Sequence, residues 1–432
     1  MATATQLGRR AVIVGGLRTP FVKAGTQFAD LTALDLGRVV VQELLARYDL
    51  SPKEVDACVF GQVIPTLTAP SIAREVILAA GLPRSIECHT ATRACATSIQ
   101  TLVNAANSIA VGASEVAIAG GTESMSDAPI FTTRALAQAL VRASRGRNVA
   151  EKLKPFQRLK PKDLMPVPPA IAEPSTGMSM GEACEKMAKE NGITRLEQDQ
   201  LALASHHNAA KAWAAKKFDA EVMHVAVAPK YDVVADKDNL VRGDTTLEAL
   251  SQLKPVFDRK YGTVTAGNAS PLTDGAAALL VMSEERAKAL GYKALGFMRA
   301  HAFAATDPGG QLLQGPAYAV PVALKRAGMK LSDIDLFEMH EAFAAQVASN
   351  IQALGSKAFA DASGWAGPVG EVDRTRLNVN GGSLSLGHPF GATGARIIHQ
   401  ALRELERSGK STALCTVCAA GGLGAAVVLE RV

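Results

Sequence analysis

The sequence predicts an α/β protein made of two related halves, with a helical segment inserted between them. Three observations predict it. Buried-strand patterns alternate with helical ones in the first and last thirds of the 432-residue chain, which argues a largely buried sheet faced by helices. The same succession of signals occurs twice. The stretch separating the two is different in kind: basic and proline-rich at first, then helical.

In chain order, Ala11-Val12-Ile13-Val14-Gly15-Gly16 reads as a buried strand closing on a glycine turn. Helical apolar spacing runs from Leu31 to Tyr48. Val55–Gly61 reads as a second strand, Ser71 to Ala80 as a second helix, Ile99 to Val111 as a third helix and Glu115–Gly121 as a third strand. The last third repeats this grammar. Leu331–Glu338 parallels Leu50–Ala57. A helix over Gly394–Ser408 leads into the apolar Ser411–Cys418 and then Gly421-Gly422, as the helix after Cys95 leads into the 115–121 strand and Gly120-Gly121. A duplicated α/β unit would bring corresponding loop ends of both halves around one cleft. The expected organisation is an N-terminal half over 1–141, completed by 264–291, where Gly275–Met282 turns strand-like. An inserted subdomain over 142–263 covers the cleft, with helices at Met180–Asn191 and Arg195–Lys216. A C-terminal half spans 292–432.

Composition narrows the partners. Hydrophobic residues make up 48% and aromatics only 5%, so the core is built from Ala, Val, Leu and Ile, which suit close helix–sheet packing. A net charge of +5 is too small a bias to imply nucleic acid, and no such partner is expected. Most of it is local: residues 142–163 hold eight Lys or Arg against Glu151 and Asp163, a net +6. That segment interleaves its charges with Leu153, Phe156, Leu159, Leu164 and Met165. It reads as a face for an anionic membrane surface, as a steering patch for phosphates, or as a solvated or partner-binding loop. Six cysteines without regular spacing frame no disulfide scaffold. With a polar start (MATATQLGRR) and no run of about 18 apolar residues, a cytoplasmic location is expected.

The candidate chemistry lies in four places. Cys95, in Arg93-Ala94-Cys95-Ala96-Thr97-Ser98, stands at a predicted loop-to-helix junction. Free amides at a helix start would stabilise its thiolate and lower its pKa; the alternative is a buried structural cysteine, the role expected of Cys58 and Cys184. His388 lies in Gly387-His388-Pro389-Phe390-Gly391-Ala392-Thr393-Gly394, where glycines allow close approach to a ligand. It could take the cysteine proton and then stabilise an oxyanion, or be a satisfied polar group. Cys418 ends a strand and precedes Ala419-Ala420-Gly421-Gly422, whose small residues leave amides free for an oxyanion. Cys415-x-x-Cys418 resembles half a zinc site or a redox pair, but residues three apart on a strand face opposite ways and no second pair completes a metal site. Neither metal nor disulfide is expected there. Gly421-Gly422-Leu423-Gly424 lacks the spacing of a dinucleotide fingerprint. His340-Glu341-Ala342-Phe343 follows an apolar strand; it is a capping turn, or a polar pair at a strand's carboxyl end, where α/β clefts bind ligands. A nucleophilic sulfur, a base and a second acid/base, each beside tight backbone, suggest covalent acyl chemistry on a thioester.

Taken together, these motifs resemble the thiolases (acyl-CoA:acetyl-CoA C-acyltransferases) over essentially the whole chain. The resemblance also rests on Arg18-Thr19-Pro20-Phe21, Gly120–Ser126, Gly262–Asp274 and the 378–396 stretch. It implies a five-layered α-β-α-β-α fold of duplicated halves. It implies that Cys95 accepts the acyl group, that His388 activates it, and that Cys418 is the acid/base at the α-carbon of acetyl-CoA or at the CoA sulfur. His340 stands where most thiolases carry an asparagine holding a catalytic water; with His388 it would build one oxyanion site, and the backbone amides of Cys95 and Ala420 a second. Ser270 and Met180 match pantetheine contacts, Arg242 a position near the CoA nucleotide, and Phe343 a substrate-pocket residue. Ser179 replaces a histidine found before that methionine in many thiolases. The histidine of His-Glu-Ala-Phe, Ala-Ala after Cys418 and the long 142–175 segment are similar to the β-subunit of the fatty-acid β-oxidation complex, or trifunctional enzyme. The implied activity is thiolysis of 3-ketoacyl-CoA by CoA through a Cys95 acyl-enzyme, with acetoacetyl-CoA within the same chemistry and no metal or permanently bound cofactor. CoA and acyl-CoA are then substrates. The implied assembly is a homodimer or tetramer, with a hydratase/dehydrogenase α-subunit and peripheral membrane contact as further partners. Ketoacyl synthases and hydroxymethylglutaryl-CoA synthases share fold and nucleophile but not Cys418 in its Gly-Gly loop. A non-catalytic acyl-CoA or lipid carrier, or a structural subunit of the same fold, is the alternative of a different class.

Overall fold

The computed structural model of the chain describes residues 8–167 and 172–432. Pro168 and Pro169 of the proline-rich stretch, and the first seven residues of the polar start, lie outside the described residues.

In the N-terminal half, β1 (Ala11–Arg18) is buried from Val12 onward, as its unbroken apolar run requires, and is followed by the short β2 (Val22–Lys23). Helix α1 (Ala33–Arg47) opens on a capping box between Thr32 and Asp35 and turns Leu36, Val40, Val41 and Leu44 inward. Then come β3 (Ala57–Gly61), α2 (Ile72–Ala79), β4 (Glu87–Thr90), α3 (Thr97–Ala110) and β5 (Val116–Glu123). Sequence reading misses β4, because Glu-Cys-His-Thr has no apolar alternation; it is an edge strand paired on one side to β3 and mostly exposed. The intervening segment carries α4 (Arg134–Ser144), α5 (Val149–Leu153), α6 (Met180–Glu190), α7 (Arg195–Ala214), the ribbon β6 (Val225–Ala226) with β7 (Val234–Ala235), and α8 (Leu247–Ser251). Strand β8 (Thr273–Ser283) and α9 (Glu284–Ala289) return to the first half. The C-terminal half runs β9 (Gly296–Ala305), α10 (Gly315–Ala327), β10 (Leu336–Met339), α11 (Ala344–Gly355), α12 (Lys357–Ala362), α13 (Ser383–Leu386), α14 (Thr393–Ser408), β11 (Thr412–Ala419) and β12 (Leu423–Arg431).

The duplication is written in the strand pairing. β3 runs parallel to β5 as β10 does to β11. β5 and β8 pair antiparallel, as do β11 and β12, and β1 and β9 lie antiparallel beyond them. Even the clamp ahead of each half's inner strand recurs. Asp56 accepts from the amides of Glu115 (2.7 Å) and Val116 (3.0 Å), and Asp335 from those of Ser411 and Thr412 (both 3.0 Å). One connection breaks the symmetry. The turn Ala420–Gly422 joins β11 to β12, whereas residues 124–272, the inserted segment among them, separate β5 from β8.

Five layers result. α1 and α2 cover one face of the first half-sheet, and α10 and α11 cover the far face of the second. Between the sheets α3 packs on α14, with Ile99, Leu102, Ile397, Ile398 and Leu402 in one core with strands of both halves. β1 and β9 touch at Val12–Phe297 and Ile13–Gly296, so the strands form one hydrogen-bonded path, β10-β11-β12-β9-β1-β8-β5-β3-β4, with β2 attached to β8. Because α14 lies between two sheets, even its Arg396, His399 and Gln400 are buried and must find partners inside.

The inserted segment is tied to the end of β1. Residues Glu221 and Met223 exchange backbone hydrogen bonds with Arg18. The Arg18 guanidinium makes a bidentate pair with Asp238 (2.6 and 2.8 Å) and lies over the Phe21 and Phe218 rings. Asp238 also accepts from the Phe21 amide (2.7 Å). Both side chains of the pair are buried, so removing one leaves the other charged and unpaired. Asp238→Ala should therefore destabilise by about 3–5 kcal/mol, read as a lower thermal midpoint. The double variant Arg18→Met/Asp238→Leu should recover much of that loss.

Candidate active site

Cys95 sits between β4 and α3 on a turn whose preceding residue, Ala94, has a left-handed φ of +43°, a conformation that costs energy for any residue but glycine. Thr97 holds the turn, its hydroxyl accepting from the Arg93 amide (2.8 Å) and donating to the Ala94 carbonyl (2.7 Å). The Cys95 sulfur is half-buried and faces two backbone N–H groups, that of Ala420 and its own. The thiol pKa is not lowered as a helix start would suggest. Burial pushes it up to about 12; the Ala420 and Cys95 amides pull the other way, and the Glu123 carboxylate adds to the rise. The helix begins only at Thr97, and desolvation outweighs two amide dipoles.

His340 follows the last residue of β10, its amide donating to the Thr416 carbonyl (2.8 Å). His388 is carried by the loop between α13 and α14, its amide donating to the Thr273 hydroxyl (3.1 Å). Gly387 before it has φ +101°, and a Cβ there would lie 2.8 Å from Thr273 and from Leu240, so the loop closes this tightly only with glycine. The two rings stack with centroids 4.0 Å apart. The Cys95 sulfur and ring nitrogens of His340 and His388 all lie within 4.8 Å of one another. Both rings are buried, and each Nε2 is without a partner. Burial holds both imidazoles neutral, His388 at about 3 and His340 well below its usual range, with the buried Arg396 charge adding to the effect.

The Nδ1 atoms of both imidazoles are held by hydroxyls. His340 Nδ1 lies 2.8 Å from the Ser383 hydroxyl, which already accepts from Arg396 Nη2 (2.8 Å). Ser383 still has its own proton and a second lone pair, so it can donate to His340 Nδ1 or accept from Nδ1–H; donation leaves the His340 proton on Nε2. His388 Nδ1 lies 2.6 Å from the Thr393 hydroxyl, which donates to the Pro389 carbonyl (3.0 Å) and so is free to accept from Nδ1–H. That leaves His388 Nε2 with a lone pair. Behind Ser383, Arg396 lies 3.9 Å from Glu338, whose pKa burial raises to about 8, and Gln400 bridges Glu338 and the Gly381 carbonyl.

Cys418, near the end of β11, is buried with Ala342, Phe343, Leu312 and Leu313, and Met180 packs against this cluster. Burial raises its pKa, and the charges of Cys95 and Cys184 add to the rise, so the two candidate sulfurs are near neighbours. Cys415 lies in the central core instead, on the opposite face of β11 from Cys418. Cys184 shares the Cys418 cluster, and Cys58 lies in the outer core of the first half. The turn after Cys418 uses two left-handed glycines, Gly421 and Gly422; a Cβ on Gly422 would fall 2.3 Å from the Thr306 carbonyl.

The remaining expected contacts divide. The Ser270 amide donates to the Ala342 carbonyl (2.9 Å), and Phe343 packs edge-on to Phe257 (6.1 Å), so both border the cluster around Cys418. Arg242 is exposed on the inserted segment, its backbone amide donating to His206 Nδ1 (3.2 Å). The structure adds residues that sequence reading passed over: Ser383, Thr393 and Arg396 behind the histidines, and two carboxylates. Glu123 accepts from the amides of Val63, Ile64 and Gly391 (3.0–3.1 Å), tying the His388 loop to the end of β5. Glu173, buried in the inserted segment, accepts from the Gly421 amide (2.9 Å). Acidic residues inside glycine-rich or apolar stretches were the only signal available for these two. A groove of about 740 Å³ between Leu324, Met329, Trp365 and Val369 lies elsewhere on the C-terminal half.

Comparison with known proteins agrees along the chain. The family model for the thiolase N-terminal domain matches residues 11–285, and that for the thiolase C-terminal domain residues 292–431. The 3-ketoacyl-CoA thiolase of Shewanella pealeana is 52% identical over 424 residues, covering 98% of this chain and 97% of the relative. The crystal structure of the Bacillus anthracis acetyl-CoA acetyltransferase superposes with a TM-score of 0.85 at 33% identity, covering 99% of this chain and all of that one. Human mitochondrial 3-ketoacyl-CoA thiolase in complex with CoA superposes with a TM-score of 0.82 at 31% identity, covering 99% of each chain.

A neutral thiol beside neutral imidazoles has a measurable signature. Only the thiolate reacts with iodoacetamide, so alkylation of Cys95 should rise from about pH 6 to about pH 9, by roughly tenfold per unit, without a plateau. Mass spectrometry of the Cys95 peptide follows it. A plateau near neutrality would reveal a preformed thiolate–imidazolium pair instead.

Proposed function

The chain belongs to the thiolase family, and from that premise we propose that it is an acyltransferase that cleaves 3-ketoacyl-CoA with CoA, giving acetyl-CoA and a shortened acyl-CoA. The observation that carries this reading is the meeting of the Cys95 sulfur with two buried, unpartnered imidazole nitrogens on one side and two backbone amides on the other.

In the proposed cycle, His388 Nε2 takes the Cys95 proton as the sulfur attacks the 3-keto carbon; the thiol's high resting pKa means that transfer and attack occur together. The C2–C3 bond breaks. The enolate oxygen of departing acetyl-CoA receives hydrogen bonds from His340 Nε2–H and from the newly protonated His388, while Cys418 gives its proton to C2. The acyl group stays on Cys95 with its carbonyl oxygen on the amides of Cys95 and Ala420. CoA then enters, loses its thiol proton to Cys418 and takes the acyl group, and the released Cys95 thiolate recovers its proton from His388. With a His340 ring nitrogen within 4.8 Å of the sulfur, the ring itself is proposed to supply the donor that an asparagine-held water supplies in other thiolases. Losing one such donor typically costs about 2.7–4 kcal/mol of barrier. Ser270, Met180 and Phe343 are proposed to line the pantetheine path, and Arg242 to meet the CoA nucleotide from the inserted segment expected over 142–263.

The wider assembly is proposed to be a homo-oligomer that docks other partners through the basic segment. Its helices expose Leu140, Val141, Val149, Leu153, Leu164 and Met165 among the basic residues, a face for a hydratase/dehydrogenase subunit or an anionic membrane surface. No helix among the described residues is long and apolar enough to cross a membrane. Sedimentation with anionic vesicles should be strong at low salt and lost at high salt; no lipid-dependent pelleting removes the membrane from the list.

Two variants test the chemistry. Acyl-CoA should add an acyl mass to the Cys95 peptide of the native protein and none to Cys95→Ala; label elsewhere on that variant would take the residue out of its role. Cys418→Ala should still become acylated. It should exchange the α-protons of acetyl-CoA with deuterium at least about a hundredfold more slowly, and undiminished exchange would deny Cys418 its part.

A further inference from the structure

We propose that Cys95, His340 and His388 form a three-ligand site for a thiophilic divalent cation of the zinc class, and that its occupation switches off acyl transfer. The donor set is one sulfur and two imidazoles, with no carboxylate, which selects zinc-like ions over magnesium or calcium. The three donor atoms already lie within 4.8 Å of one another. Zinc bonds of about 2.3 Å to sulfur and 2.0–2.1 Å to nitrogen bring ligand atoms to about 3.3–3.8 Å apart in a tetrahedron, so the widest separation closes by about 1–1.5 Å.

A second observation points the same way. Both Nε2 atoms are buried and without a partner in the chain, while each Nδ1 is held by a hydroxyl. Metal-ligating histidines commonly have this arrangement, an outer hydrogen bond fixing the ring while the inner nitrogen meets the ion. Among the described residues, this is the one group of three such side chains whose ligand atoms converge so closely.

The proton balance is simple and no electrons move. His388 Nε2 binds through its lone pair. His340 shifts its proton from Nε2 to Nδ1, and Ser383 turns its hydroxyl to accept there. As the metal–sulfur bond forms, Cys95 releases its thiol proton to solvent. The complex keeps one positive charge and a fourth position for water. The three atoms that hold the cation are those the proposed acyl transfer uses, so cation and substrate exclude each other.

Cobalt(II) titrated into the full chain under reducing, oxygen-free conditions is the probe. A near-ultraviolet sulfur-to-cobalt charge-transfer band should appear, and saturating acetyl-CoA should suppress it. Cys95→Ser should lose the band. His340→Asn should weaken binding by at least about tenfold, and His388→Asn should do the same if one variant folds poorly. Cys88→Ser should change nothing; Cys88 stands beside His89 and Glu87 at the exposed sheet edge, where an adventitious site would form. Zinc should inhibit thiolysis reversibly, with full recovery on adding EDTA. A band that survives in Cys95→Ser, or that disappears in Cys88→Ser, overturns the site. The spectroscopic readout needs no turnover, so the metal site and the proposed activity fail independently.

Discussion

Buried polar atoms that find no partner within the chain are the constraint around which this molecule is built. The Nε2 atoms of His340 and His388 are buried and find no hydrogen-bond partner within the chain, and a ring nitrogen of each lies within 4.8 Å of the Cys95 sulfur. A buried polar group left so costs roughly 1–3 kcal/mol, and it persists only where the surroundings allow no alternative. Here the surroundings are unusually determinate. Ser383 and Arg396 hold one ring, Thr393 the other. Glu341, next to His340, accepts from Ser205, Asn378 and the Leu384 amide, joining α7 to the turns that carry both histidines. The two rings cannot turn towards other partners without breaking bonds that reach α13 and α14.

The duplicated architecture supplies this determinacy, and it explains why the site belongs to neither half. Each half contributes a helix to the middle layer, and the site gathers at one end of that layer. Cys95 precedes α3, His388 precedes α14, and His340 and Cys418 come from the ends of β10 and β11. Packing α3 on α14 therefore sets the sulfur-to-imidazole spacing, with Ile99 and Ile397 in the shared core. Gly394 sits at the contact: a Cβ there would lie 2.7 Å from the Ile99 amide nitrogen. A larger residue at that position would spread the two helices and pull the candidate nucleophile from its base, although it touches neither.

Much of this was legible in the residues. Apolar runs marked β1, β5 and β11, although the glycine pairs expected to close β1 and β5 lie inside those strands, and helical spacing marked α1, α3, α6, α7 and α14 close to their observed bounds. The paired motifs Leu50–Ala57 and Leu331–Glu338 both proved to be a single 3₁₀ turn leading into a parallel strand. What escaped reading depended on distance in sequence. β4 is recognisable only through its pairing with β3. Ser383 and Thr393 are common polar residues until the fold places them against imidazoles. The electrostatics of Cys95 were misjudged because a helix start was visible and the depth of burial was not; desolvation, a property of the assembled core, decides the sign.

The inserted segment shows how far the site extends beyond the two halves. Its Glu173, buried, accepts a hydrogen bond from the Gly421 amide, the residue directly after the Ala420 whose amide faces Cys95. Two glycines with positive φ make that turn pliable, so something outside it must set its orientation. A carboxylate does so firmly, because charge-assisted bonds to amides are about twice as strong as neutral ones. At the other end, Arg18 and Asp238 anchor the segment to β1 through a buried pair. The segment is thus held to the first half by one buried carboxylate and reaches the second half's oxyanion-facing turn with another. A covering element that only shielded the cleft would need neither; this one is coupled to the geometry of the amide that faces the sulfur.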